Sequence, residues 1–339
     1  MGDDARICSR CVLPHSPPHI VLDDSGVCSI CREHEKKSGA KQTPLLETDF
    51  INILNRHKGR GSYDCLVMCS GGKDSTAALY YMKRRYRRRV LAFTFDHGFE
   101  TEEAVSNVRN AVEILGVDHL YFRSDHMKEM FADIVRSGSN AVLCHVCSIW
   151  YMQVTFDIAR RYDIPVIIAG WTRGQAASRD ASAGYSYNGR QPEFAAMAAA
   201  TRAFLDDYAR RNSRYRDFPR SMDEAVARAS KRHRCLVLSP HWFLPVDSDS
   251  YTALLEKELR WKMPSESYPA RSTNCMLNFL SVHNSMKHFG YTHYHVEMSK
   301  MIREGVLSRE EALDLLKVGF EEKVLDSVRQ RLGCGLSAT

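Results

Sequence analysis

No stretch of these 339 residues approaches the roughly 20 consecutive apolar residues that a membrane-spanning helix needs. The first ten residues, MGDDARICSR, lack the apolar core of a secretion signal. A soluble, cytoplasmic protein is the expectation. In that setting eleven cysteines point to bound metal or reactive thiols and away from disulfides. Strong charge of either sign is lacking too. With 47 basic and 41 acidic residues the formal charge is +6, which suits an anionic ligand without demanding nucleic acid. The common phosphate-loop pattern GxxxxGK(S/T) is also absent, because Val67 and Asp74 stand where it needs Gly and Ser or Thr.

What is present, with 44% hydrophobic residues, is a globular chain long enough for one large domain and appendages. From Tyr63 apolar runs alternate with helical stretches, the pattern of an α/β domain with a parallel sheet. Strands are predicted at 64–69, 89–95, 118–123, 165–169 and 235–238, with helices at 74–86, 100–115, 126–136 and 148–162. Ligands of such sheets sit at the carboxyl ends of the strands. At the end of the first strand stands Ser70-Gly71-Gly72-Lys73-Asp74-Ser75. Its glycines let backbone N–H groups approach an anion, the following helix turns its positive end to the same place, and Lys73, Ser70 and Ser75 add donors. The second strand ends in Asp96, placed for a nucleotide's ribose or adenine edge. The fourth ends in Gly170-Trp171-Thr172-Arg173-Gly174, where two glycines suggest close backbone approach to a ligand.

Cys8-x2-Cys11 and Cys28-x2-Cys31, with 16 residues between the pairs, have the spacing of a four-cysteine zinc site in a small ribbon. Such a module cannot bury a core, so the metal would stabilise its fold, in a docking or structural role. Residues 35–62 read as a polar linker holding one short amphipathic helix. Cys144 and Cys147 precede the helix predicted to start at Ser148, where thiols gain thiolate character. Together with Cys275, in the polar break 272–278, they could ligate an iron–sulfur cluster or second metal. One could instead act as a sulfur carrier or nucleophile, or the pair could merely shape its loop. Cys65 and Cys69 read as buried, Cys235 as core, and Cys334 as part of a frayed tail. The run Lys83–Arg89 reads as a solvated helix end, with a patch for RNA or another anionic partner as the alternative. Residues 175–234 read as a helical insertion placed to act as a lid, where Arg179, Arg190 and Arg202 could face an anionic substrate. The remainder is helical.

The six residues Ser70–Ser75 match the SGGxDS motif, and the chain resembles the PP-loop ATP pyrophosphatases. That resemblance implies a doubly wound parallel sheet of the adenine nucleotide α-hydrolase-like class, with a zinc ribbon at 1–34, the linker at 35–62, the PP-loop domain at 63–248 and a helical C-terminal region at 249–339. It also implies cleavage of ATP between its α and β phosphates, adenylation of a carbonyl or amide oxygen, and displacement of AMP by nitrogen or sulfur. Ser70–Ser75, Asp96, Gly170 and Thr172 would bind ATP, Lys73 would stabilise the pyrophosphate leaving group and Asp74 would be a ligand of Mg²⁺. The flanking stretches CSRCVLP, DDSGVCSIC, TFDHGFETEEA and GYTHYHVEMSKMIREGVLSREEAL resemble the N-acetyl sugar amidotransferase branch. This implies amidation of a nucleotide- or lipid-linked N-acetyl sugar in surface-polysaccharide biosynthesis, with ammonia from partner glutaminase subunits. The cysteines at 144, 147 and 275 resemble instead the three-cysteine set of PP-loop thiolation enzymes holding a 4Fe–4S cluster. That alternative implies sulfur transfer to tRNA or a small-molecule amide from a sulfur donor. A third alternative is a nucleotide-binding adaptor without catalysis.

Overall fold

A computed structural model describes residues 6–37, 45–59, 61–175, 191–244, 248–271 and 274–335. Its centre is a five-stranded, all-parallel sheet in the order β3-β2-β1-β4-β5. The strands are β1 (Cys65–Met68), β2 (Val90–Asp96), β3 (Asp118–Arg123), β4 (Val166–Ile168) and β5 (Leu236–Leu238), close to the predicted positions. The order reverses between β1 and β4, which opens a crevice at their carboxyl ends. Ser70–Ser75 leaves β1 at this point.

Side-chain alternation divides the sheet into two cores. Cys65, Val67, Cys69, Val90, Ala92, Val166 and Ile168 face one side, covered by α2 (Glu47–Arg56), α3 (Lys73–Tyr80), α4 (Glu102–Leu115) and α9 (Ser248–Leu259). Leu66, Met68, Leu91, Phe93, Phe95 and Ile167 face the other, under α5 (His126–Arg136), α6 (Leu143–Arg161) and α10 (Leu277–Phe289). The insertion contributes α7 (Pro192–Arg211) and α8 (Met222–Arg232), and the chain ends in α11 (His293–Arg303), α12 (Arg309–Leu315) and α13 (Glu322–Arg331). No helix among the described residues is long and apolar enough to cross a membrane.

Several local expectations change. The helix expected at 74–86 starts at Lys73 and widens into a π turn over Tyr81–Arg85. Arg85 and Tyr86 reach Glu47 of α2 at 2.6 and 2.9 Å, and Arg89 pairs with Asp64 at 2.8 Å, so the basic run ties elements together and is more than a solvated end. The stretch read as a linker buries Phe50, Ile53 and Leu54 of α2 against the sheet. α6 begins at Leu143, before Ser148, because its first amides find distant acceptors: Val142 N donates to Thr201 Oγ1 at 3.1 Å and Cys144 N to Ser281 Oγ at 3.3 Å. A cap supplied from other helices leaves no local sequence signal. Cys334, read as frayed tail, is buried, its thiol directed at Ala132 O. Arg179 and Arg190 lie outside the described residues, and Arg202 is exposed beside Asp206.

Candidate functional site

The loop Ser70–Ser75 is held so that its carbonyls turn into protein. Ser70 O accepts from Asn274 Nδ2, and Gly71 O accepts from Trp261 Nε1 at 2.9 Å and Asn107 Nδ2 at 3.1 Å. Gly72, at the N-cap of α3, offers no side-chain cap, so the first amides of α3 have no partner within the helix, the arrangement an anion fills. Gly71 has φ +81° and a Cβ there would collide with Ala104 O, so no other residue fits. Ser75 Oγ donates to Gly72 O and takes a bond from Ser70 N, each at 3.1 Å; it braces the loop from inside. Lys73 Nζ rests on Asp74 at 2.8 Å and on Tyr251 OH at 3.3 Å, and Tyr251 also donates to Asp74. Both charged side chains keep about a fifth of their surface accessible, 17% and 19%, so phosphate or a cation can compete for them.

Gly170 and Thr172 stand at the end of β4, across the crevice. A Cβ on Gly170 would lie 2.5 Å from the Ser75 backbone, so the close approach read from the sequence is that of α3, and at Gly174 it is that of Glu297 O at 3.2 Å. Thr172 is tied by its backbone, N donating to Gln175 Oε1 at 3.1 Å and O accepting from Trp242 Nε1 at 3.2 Å. Asp96 is buried and its oxygens accept from Tyr121 OH at 2.5 Å, Gly98 N at 2.5 Å and Arg123 Nη1 at 3.1 Å. Burial raises its carboxyl, but bonds from Glu100, Tyr121 and Gly98 outweigh this and hold it at about 2. Glu100 takes the proton: burial and the neighbouring Asp96 lift it to about 8.

Beside this acid pair lies the second thiol set. Cys144 and Cys147 sit one turn apart at the start of α6. Cys275 arrives on a short antiparallel bridge in which Thr101 N donates to Asn274 O at 3.0 Å and Met276 N to Phe99 O at 2.8 Å. Its Sγ lies 3.6 Å from His97 Nε2, and Cys144 Sγ lies 3.8 Å from Asn278 Oδ1. All three are half-buried and near enough for charge on one to be felt by another. The expected thiolate character is reversed: burial raises Cys144 to about 11 and pushes Cys147 and Cys275 well up, reinforced by one another and by Glu100. Burial also lifts Glu297 on α11 to about 7, with a further push from the Asp74 charge, and Glu297 in turn helps raise Cys144.

The N-terminal thiols form a separate centre. The Sγ atoms of Cys8, Cys11, Cys28 and Cys31 all lie within 4.8 Å of one another, and the residues are buried. The Cys11–Cys28 distance is 3.7 Å, matching the about 3.8 Å expected between ligands of a tetrahedral zinc at 2.3 Å. Cys28 N donates to Cys8 Sγ at 3.2 Å and Cys31 N to Cys28 Sγ at 3.4 Å. Hydrogen bonding within the group lowers Cys8 and Cys11 and raises Cys28 and Cys31, since thiols so close cannot all ionise without a cation. The module packs Leu13, Ile20 and Val27 against Phe194, Met197 and Tyr291, while Arg309 Nε donates to Cys8 O at 3.2 Å and to Cys11 O at 3.0 Å. It is seated on α7 and α11.

Asn107, Tyr251, Trp261, Asn274, Glu100 and Glu297 escaped the sequence reading. Asn274 was the most accessible of these, lying next to Cys275 in the same polar break.

Residues 61–182 match the family model described as thiamine biosynthesis protein (ThiI). Among relatives, an uncharacterized protein of Methanocaldococcus jannaschii is 22% identical over 328 residues, 96% of this chain and 98% of that protein. A protein of Clostridium perfringens described as "Probable tRNA sulfurtransferase" is 28% identical over 116 residues, 34% of this chain but only 30% of the relative. Among solved structures, the U34-tRNA thiolase of Methanococcus maripaludis with its 4Fe–4S cluster is 16% identical, covering 99% of this chain and 94% of the other with a TM-score of 0.36, too loose a superposition to carry residues across. With the glycine loop at the end of β1, the parallel sheet behind it and the family match over the same stretch, the segment 61–182 belongs to the PP-loop ATP pyrophosphatase superfamily.

Proposed function

We propose that this protein uses ATP to adenylate a carbonyl oxygen of an acceptor and then replaces that oxygen with sulfur. The observation that carries the reading is the segment Asn274–Cys275: Asn274 holds Ser70 O of the phosphate loop, and the next residue delivers its thiol to the pocket of Cys144 and Cys147. Activation and sulfur handling thereby share one wall. The match to the thiamine-biosynthesis family and the tRNA sulfurtransferase relative support sulfur over nitrogen, and tRNA as the acceptor.

In the first half-reaction the acceptor oxygen attacks the α phosphorus and pyrophosphate leaves. Lys73 and the amides of Gly72–Asp74 face the charge that grows on the leaving group. Lys73 would exchange its bond to Asp74 for phosphate, and Asp74 would then be available as a ligand of Mg²⁺. In the second half, hydrosulfide attacks the activated carbon, AMP departs with the former carbonyl oxygen, and loss of a proton leaves the thiocarbonyl. The thiols of Cys144, Cys147 and Cys275 are protonated at rest, so as free groups they are poor nucleophiles. Cys144, Cys147 and Cys275, three thiols from two elements, would be the ligands of an iron–sulfur cluster. Their sulfurs do not all lie within 4.8 Å of one another, unlike those of the N-terminal four. A 4Fe–4S cluster there would supply an iron at which the incoming sulfide is held. The N-terminal four hold zinc in a structural role.

Nitrogen transfer to an N-acetyl sugar, with ammonia from a glutaminase, is the competing reading, carried by the sequence motifs. AMP release measured with tRNA and sulfide, against a UDP-N-acetyl sugar and ammonia, separates the two. The sulfur reading expects turnover only with the first pair, abolished by Lys73→Ala. Ammonia-dependent AMP release with the sugar would overturn it.

A further inference from the structure

The rim of the thiol pocket at Gly98 is ringed by cations. Gly98 has φ +85°, and a Cβ there would lie 2.8 Å from Lys128 Cε and 3.5 Å from Arg123 Nη2. Arg331 Nη2 donates to Gly98 O at 2.5 Å, and its guanidinium lies 5.0 Å over the Phe99 ring. On the other side of Gly98, His97 touches the Cys275 thiol at 3.6 Å. Two of these cations, Lys128 and Arg331, also line an open cleft of about 410 Å³ that runs along α5 to Gly333, just after α13. Lys128, Arg136, Arg211 and Arg331 line it, against the carboxylates of Glu129 and Asp133. Asp133 is occupied by Arg211 at 2.8 Å and Glu129 by the Tyr215 hydroxyl at 2.9 Å. Among the described residues Lys128 and Arg136 have no carboxylate partner, and Arg331 is held only by a carbonyl and a ring.

We propose that this cleft binds the phosphate backbone of an RNA acceptor and brings a base to the thiol pocket, an inference that rests on the sulfur-transfer reading. The spacing of the charges favours a polynucleotide. Lys128 and Arg136 are eight residues apart on one helix, about 12 Å at 1.5 Å per residue. The two phosphates of a nucleotide sugar share one bridging oxygen and cannot reach both ends, whereas a nucleic-acid strand offers a phosphate every few ångströms along the track. The open shape admits such a strand, and the unpaired cations supply sequence-independent affinity.

The test is binding of fluorescein-labelled bulk tRNA across a salt series. The Lys128→Ala/Arg136→Ala double variant should bind at least tenfold more weakly near physiological salt. Its slope of log K against log salt should be shallower by about 2, one for each phosphate that no longer meets a cation. Lys128→Arg/Arg136→Lys should restore binding, and equilibrium ATP binding should be unchanged in both, which excludes misfolding. Double-variant affinity within twofold of the parent, or binding of UDP-N-acetylglucosamine that depends on these two residues while tRNA binding does not, overturns the proposal. Variant-sensitive tRNA binding by a protein that releases no AMP with sulfide would leave the cleft standing and remove the sulfur chemistry. Sulfide-dependent turnover with variant-insensitive tRNA binding removes the cleft alone.

Discussion

Seven of this chain's cysteines fall into two groups built on opposite plans. Cys8, Cys11, Cys28 and Cys31 come from two identical knuckles, close on one another, and accept backbone amides on their sulfurs. Every side of that centre is covered, by Leu13 and Ile20 within the module and by Phe194 and Tyr291 beyond it. Cys144, Cys147 and Cys275 come from a helix start and a distant bridge, stand further apart, and share their pocket with Glu100 and His97. The first group closes on itself inside a packed module, with four sulfurs placed to share one metal ion. The second is deep and only half-buried, and acids and the phosphate loop lie alongside it. A centre meant to hold structure closes on itself, whereas one meant to handle substrate keeps a side open.

If that contrast is right, breaking the closed centre should damage the fold most. Cys31→Ser removes one of four ligands, and zinc-linked folding of such modules is worth on the order of 10 kcal/mol. Zinc content should fall close to zero, and residues 6–37 should become sensitive to limited proteolysis. Because Arg309 and Ser299 bond to this module, α11 should loosen with it. A variant that keeps its zinc and its protease resistance would show the knuckles to be independent of metal.

A smaller effect is expected at Glu297, on the open side. Burial raises its carboxyl to about 7, from about 4.3 in an unfolded chain, so the folded state holds more protons than the unfolded between those values. Stability contributed by this group is therefore complete below about pH 4 and declines as pH rises towards 7. Glu297→Gln should gain roughly 3–4 kcal/mol of relative stability at pH 8 and nothing at pH 4. Denaturant midpoints at the two pH values measure this, and an unchanged difference between them would mean that Glu297 meets solvent freely.

The legibility of the site followed the same divide. The phosphate loop and the CxxC pairs are local patterns, and each landed where its spacing placed it. So did the sheet, whose central strands carry their burial in their own side chains. What stayed hidden depends on partners far along the chain. Asn274 and Trp261 hold the carbonyls of Ser70 and Gly71 from about 200 positions away, 204 and 190 residues respectively. Gly170 was read as ligand contact, yet the neighbour that requires glycine is Ser75 of α3. Position in a helix suggested reactive thiolates at Cys144 and Cys147. The helix dipole there is outweighed by desolvation, which only the packed pocket reveals.

The two groups of cysteines should hold different cofactors. The decisive assay is iron, zinc and acid-labile sulfide in anaerobically purified protein, compared with Cys275→Ala. The parent protein should be brown, with iron and sulfide in near-equal amounts beside one zinc per chain, and Cys275→Ala should lose the colour and iron while keeping the zinc. A colourless parent protein carrying zinc alone would contradict the division into a structural and a sulfur-handling centre.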